Sequence, residues 1–165
     1  MRILVISDTH IPTTADRLPK IIEKEARISD CCIHAGDFTS YATLVRLKKI
    51  TKVYGVCGNM DDVAIQKALP KQQVIVLDKL TIGITHGYGK PNDTPKQIKK
   101  TFSFYNEKID IFIFGHSHRS LDKEINGQLF FNPGSPTDTF YAPYTSYGVI
   151  ELTNGKIKRK IIKNG

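Results

Sequence analysis

Short, unbroken apolar runs alternate with longer amphipathic stretches along the first half of this chain. Ile3-Leu4-Val5-Ile6 is apolar throughout and rich in β-branched side chains, the pattern of a strand buried on both faces. Residues 17–26 follow with Leu18, Ile21, Ile22 and Ala26 at helical spacing. The same reading predicts strands over 31–35, 53–56 and 109–114, and helices over 41–47 and 62–69, the second stopped by Pro70. Residues 74–77 and 80–85 read as a strand pair. Thr94 stands where it can cap a helix over 94–105, with Pro95 at the first helical position. The second half changes character. Residues 121–125 and 128–131 flank Asn126-Gly127, and 146–152 and 156–162 flank a turn with Asn154-Gly155, so each pair reads as a hairpin. Early βαβ units followed by hairpins predict a mixed α/β (α+β) fold. Two packed mixed β-sheets, a β-sandwich flanked by α-helices, accommodate both halves. With no repeat, linker or break in composition, residues 1–165 are expected to form a single domain.

Composition narrows the class. At 40% hydrophobic and 24% charged residues the chain falls in the globular range, which excludes a disordered or fibrous protein. No apolar run approaches the ~20 residues that span a bilayer, so no membrane association is expected. The start of the chain lacks the basic, apolar and small-residue regions of a signal peptide, and a cytoplasmic location is the expectation. Cys31, Cys32 and Cys57 show no CxxC spacing and read as reduced core residues. The formal charge of +8 favours acidic partners such as phosphate esters, nucleotides or nucleic acid. Much of that charge is lysine at 96, 99 and 100 and between 156 and 163, where solvation and edge protection explain it equally well, so nucleic acid is not the favoured partner. Tyr141 and Tyr144 suit base stacking, a homo-oligomer interface or core cover.

The informative feature is where the metal-capable side chains fall. Asp8 and His10 follow the first strand, Asp37 the second and Asn59 the third. His86 follows the strand at 80–85, and His116 and His118 follow the strand at 109–114. Each sits just past the carboxyl end of a predicted strand, where open α/β sheets bind ligands. Imidazole, carboxylate and one amide oxygen together suit first-row divalent metals. Seven donors exceed one tetrahedral site but suffice for two sites sharing a carboxylate. Two metals ~3.5–4 Å apart clamp the attacking and leaving oxygens of an in-line displacement at phosphorus.

This ordered set resembles the calcineurin-like metallophosphoesterase superfamily, in its small bacterial and archaeal phosphodiesterase branch. The resemblance rests on Asp8-Thr9-His10, Gly36-Asp37, Gly58-Asn59-Met60-Asp61, His86-Gly87 and Gly115-His116-Ser117-His118, and Asn132-Pro133-Gly134-Ser135 is similar to a segment near that branch's site. It implies two divalent transition-metal ions per chain, manganese, nickel, iron, cobalt or zinc. Asp8, His10 and His118 would bind one ion, Asn59, His86 and His116 the other, and Asp37 would bridge. The catalytic part falls to Asp37, Asn59 and His86, around a metal-bridging hydroxide that attacks the ester. Many members carry histidine after the Gly-Asn pair to protonate the leaving group, but here the residue is Met60, and a thioether donates no proton. Small members of the superfamily also lack this histidine and are described as phosphodiesterases, so the resemblance implies phosphodiesters, with activated aryl esters turned over more readily. Asp61 and water remain alternative acids, while His34 lies within a predicted apolar strand and reads as a core histidine. Arg119 and Lys90 are candidate phosphate contacts. Two other readings stay open: a nuclease or cyclic-nucleotide phosphodiesterase using the basic surface, and a metal-binding interaction scaffold like the retromer subunit that resembles this fold.

Overall fold

The computed structural model describes residues 1–88 and 95–164, which form ten strands and four helices. In chain order these are β1 (Arg2–Ile6), α1 (Lys20–Ile28), β2 (Cys31–His34), α2 (Tyr41–Lys48), β3 (Lys52–Gly55), α3 (Val63–Ala68), β4 (Gln72–Leu77) and β5 (Leu80–Thr85). Then come α4 (Pro95–Thr101), β6 (Ile111–Ile113), β7 (Leu121–Ile125), β8 (Gln128–Asn132), β9 (Thr145–Thr153) and β10 (Lys156–Asn164). The strands make two five-stranded sheets, ordered β10-β9-β1-β2-β3 and β4-β5-β6-β8-β7. Both are mixed: β1, β2 and β3 are parallel, as are β5, β6 and β8, and the hairpin strands add antiparallel edges.

The alternation of side chains across each strand builds three apolar layers. Ile3, Val5, Cys31 and Ile33 face inward from the first sheet and meet Ile82, Ile84, Ile111, Ile113, Leu129 and Phe131 of the second. The intervening residues Leu4, Ile6 and Cys32 turn outward against Ile22 and Ala26 of α1, Leu44 and Leu47 of α2 and Ile65 of α3. Phe112 and Phe130 turn the other way and pack with Ile98 of α4 and with Phe102. The sandwich with flanking helices is therefore the observed architecture. Both Asn-Gly turns have positive φ at each central residue, as two-residue hairpins that match strand twist require.

Several element boundaries differ from the sequence expectation, three of them with a clear local cause or consequence. The first helix begins at Lys20 rather than Arg17, because Pro19 occupies the cap position and disfavours helical backbone at Leu18 before it. The helix ending near Tyr105 stops at Thr101; Phe102 and Ser103 instead donate to carbonyls three residues back, at Lys99 and Lys100, in a tighter final turn. The strand expected over 109–114 pairs only over Ile111–Ile113, although Ile109 and Phe114 are buried beside it. The expected cap at Thr94 lies outside the described residues.

The register places the site. Ile6 pairs with His34, and His34 with Gly55, so β1, β2 and β3 end together. Ile84, Ile113 and Phe131 are likewise aligned near the carboxyl ends of β5, β6 and β8. Because Phe131 fills the space between the sheets, Phe131→Ala should destabilise the protein by about 3–5 kcal/mol. Urea denaturation of metal-free protein measures this, and a change under ~1 kcal/mol would contradict the packing described.

Candidate metal centre

The loops leaving β1 and β2 run on as a parallel ladder: Asp8 N–H donates to Gly36 O (3.0 Å), His10 N–H to Asp37 O (3.0 Å) and Ile11 N–H to Phe38 O (3.1 Å). From the second sheet, His116 N–H reaches across to both oxygens of Asp8 (3.2 and 3.1 Å). The segment after β8 closes the arrangement from below. Ser135 Oγ donates to Asp8 O (2.7 Å), Thr137 Oγ1 to Thr9 O (2.8 Å), and Asn132 Nδ2 to Gly115 O (2.9 Å). Backbone strain concentrates here. Asp8, His10, Asp37, His116 and His118 all hold φ between 42° and 69°, a region non-glycine residues enter at an energetic penalty and keep only where surroundings enforce it. Two glycines permit the close approach. A Cβ at Gly58 would stand 2.1 Å from Asp37 Oδ1, and one at Gly115 would stand 1.8 Å from Ser7 Oγ.

On this frame the ligand-type atoms converge. Asp37 Oδ2 lies 3.3 Å from His86 Nε2 and 3.5 Å from His10 Nε2. Asp8 Oδ1 lies 3.5 Å from His118 Nε2, 3.9 Å from His86 Nε2 and 4.0 Å from His10 Nε2. His10 and His118 approach through their Nε2 atoms at 3.2 Å, and Asn59 Oδ1 lies 3.2 Å from His86 Nε2. The His116 ring is edge-on to His86, with centroids 5.2 Å apart. Two groups have donor atoms close enough to share a cation, Asp8-His10-His118 and Asp8-Asp37-His86. Asp8 belongs to both, a central place that the residue types alone did not single out.

Three imidazoles are gripped from behind. His86 Nδ1 donates to Ala35 O (2.8 Å), His10 Nδ1 meets Thr39 Oγ1 (3.3 Å), and His118 Nδ1 meets the Asp138 carboxylate. Each leaves Nε2 turned toward the carboxylates, so the outer contact orients the ring for ligation through Nε2. Asp8 and Asp37 are buried, and among the described residues the basic side chains facing their oxygens are imidazoles rather than lysine or arginine. The donor set of carboxylates, imidazoles and an amide oxygen fits first-row divalent cations.

Charge compensation shows in the titration of the metal-free protein. Burial opposes the protonated form of His86, but Asp37 and Asp8 outweigh it and push its pKa up to about 9. Burial likewise opposes ionisation of Asp37, and the His86 contact and the Met60 N–H (2.8 Å) overcome it, holding its carboxyl below the usual range. His34 is driven the other way by burial, well below an ordinary histidine. It stacks on Phe38 and bonds Thr9 Oγ1 (3.1 Å), so it braces the loop rather than facing the cluster.

Asp61 takes a different part from the acid considered above. Its oxygens accept the backbone N–H groups of Thr39 (2.7 Å), Gly58 (2.8 Å) and Asp37 (3.1 Å), tying the second and third loops together. Arg119 is exposed next to His118. Lys90 lies outside the described residues. A cavity of about 620 Å³ opens beside Asn59 and His86, lined also by Gln66, Lys71 and Tyr88. The lysines at 96, 99, 100 and 108 line a separate cavity that includes none of the seven ligand-type residues. Asp138 was missed in the sequence because a lone Asp in a loop reads as a turn residue.

The sequence model of the Calcineurin-like phosphoesterase superfamily domain matches residues 1–155. The chain belongs to this superfamily. It is 31% identical to a probable metallophosphoesterase of Methanothermobacter thermautotrophicus, covering all of this chain and 94% of that one. Vacuolar protein sorting-associated protein 29 of Schizosaccharomyces pombe is 33% identical over 83% of this chain and 73% of its own. A Thermotoga maritima protein solved by solution NMR superposes with a TM-score of 0.77 at 33% identity, covering 99% of each chain.

The His86 shift carries a stability consequence. A histidine whose folded pKa exceeds its unfolded value of 6.5 stabilises the fold fully below about 6.5, and loses that contribution as pH rises to about 9. Urea midpoints of chelator-treated protein should therefore fall between those values, and His86→Gln should flatten the decline. An unchanged slope in the variant would contradict the linkage.

Proposed function

We propose that this protein is a divalent-metal-dependent phosphoesterase that hydrolyses phosphodiesters at a two-metal site, with residues 1–165 working as one domain. The observation that carries the reading is the convergence of three imidazole Nε2 atoms on two buried carboxylates, with each Nδ1 held from outside. In this reading Asp8, His10 and His118 hold one ion, Asn59, His86 and His116 the other, and Asp37 lies between them. When bound, manganese, nickel, iron, cobalt or zinc would supply Lewis-acid polarisation of a phosphoryl oxygen and a nucleophile from water at neutral pH. The protein then needs no nucleophile of its own. Its residues fix the donor geometry, and Asn59 and His86 border the cavity that receives the organic part of the ester. Arg119, exposed beside His118, would be a phosphate contact in this reading.

Met60 sets the substrate preference. Its side chain is exposed after Asn59 and has no proton to give a departing oxygen, while Asp61 is occupied by backbone N–H groups. Phosphate esters whose leaving groups depart unassisted are therefore favoured. The lysine-lined cavity stands apart from the ligand-type residues, so a polyanionic substrate is not the reading advanced. Three free, buried thiols suit a reducing compartment such as the cytoplasm. The second reading, a metal-binding scaffold for protein partners, is favoured by the vacuolar protein sorting-associated relative.

An activated aryl phosphodiester should be hydrolysed with added manganese or nickel and not in chelator. Asn59→Ala or His86→Ala should abolish turnover while the protein stays folded by circular dichroism. Metal binding without turnover in the unaltered protein would shift the account to the scaffold reading. Met60→His should speed hydrolysis of an alkyl diester, by up to the ~10²-fold a general acid commonly supplies, and leave the aryl ester little changed. Equal effects on both esters would contradict the role given to position 60.

A further inference from the structure

Asp138 is buried in the segment that follows β8. Its two carboxylate oxygens do different work. Oδ2 lies against Nδ1 of His118. Oδ1 accepts the backbone N–H groups of Phe140 (2.8 Å) and Tyr141 (3.0 Å). Its own N–H donates to Ser135 Oγ (3.0 Å), the hydroxyl that donates to Asp8 O. One side chain thus links a ligand-type imidazole, the Asp8 loop and a turn bearing two exposed aromatic rings.

We propose that Asp138 is a positioning residue for the metal centre. It fixes His118 as the Nδ1–H tautomer, leaves Nε2 free to ligate, and so sets the affinity of the Asp8-His10-His118 group for its cation. The inference rests on the metal-centre reading above and adds a residue to it. An ionised carboxylate is acceptor-only, so the imidazole nitrogen facing it must carry hydrogen. The lone pair is then on Nε2, which points at Asp8 Oδ1 and His10 Nε2. The other two imidazoles have weaker or neutral partners. Thr39 Oγ1 behind His10 can donate or accept and imposes no tautomer, and Ala35 O behind His86 is an uncharged acceptor. Of these three imidazoles, His118 is the one with a carboxylate behind Nδ1 to fix its ring and tautomer as a ligand.

Asp138→Asn separates orientation from structure. The amide oxygen can keep both N–H groups of the turn, which leaves its NH₂ facing His118 Nδ1 and calls for the opposite tautomer. Calorimetric titration with Mn²⁺ alone should find two equivalents in the unaltered protein. In Asp138→Asn one equivalent should weaken by about 10–100-fold and the other stay unchanged, with no change in the melting temperature of chelated protein. Co²⁺ visible absorption should lose intensity for the same single site. In the metal-free, unaltered protein, long-range ¹H–¹⁵N spectra should report neutral His118 protonated at Nδ1, a readout that does not depend on any variant folding. Unchanged affinity for both equivalents, equal weakening of both with a lowered melting temperature, or an Nε2–H tautomer would each overturn the proposal and leave the metal centre standing. Failure of the unaltered protein to bind Mn²⁺ would overturn both.

Discussion

Asp8 and Asp37 bring two carboxylates together where water is nearly excluded, and the surrounding elements are organised around that charge. Removing a single ion from water costs of the order of several kcal/mol after relaxation, and among the described residues no lysine or arginine stands beside either group to offset it. The imidazole of His86 does so instead. In the metal-free protein His86 holds a proton against burial because these carboxylates are its neighbours. The same atoms that compensate one another by sharing a proton are donors for a divalent cation, which would satisfy the negative charge more completely than one proton can.

The sandwich makes this possible by bringing two sets of strand ends to one place. Parallel β1, β2 and β3 deliver Asp8, His10, Asp37 and Asn59, and β5 and β6 deliver His86, His116 and His118. Hydrogen bonds then join the two sets across the gap between sheets: His86 to Ala35, the His116 N–H to Asp8, and Ser135 to Asp8. The left-handed backbone at five of these residues is sustained by that cross-linking and by the close approach that Gly58 and Gly115 allow. The apolar layers supply stability, and the strand-end loops carry the strain.

Much of this was legible in the chain itself. Runs such as Ile3–Ile6 announce buried strands, and the two Asn-Gly pairs announce hairpins, because both are governed by local geometry. The clustering of ligand-type residues could be read because each follows a strand, and parallel strands end on one side. What escaped depends on partners far away in sequence. Asp138 gains its meaning from His118, twenty residues earlier, and from a turn that bends back onto it. Asp61 looked like a free acid until three backbone N–H groups were seen to occupy it. The late start of α1 was locally readable, since Pro19 restricts the residue before it, but helical spacing of Leu18 and Ile22 spoke against it.

The most direct test of the central claim is a crystal structure of the protein soaked in manganese, with anomalous scattering recorded at the manganese edge. Two peaks ~3.5–4 Å apart, lying between the oxygens of Asp8 and Asp37 and the Nε2 atoms of His10, His86 and His118, are the predicted result. Absence of any peak there, or manganese bound only elsewhere on the surface, would contradict it.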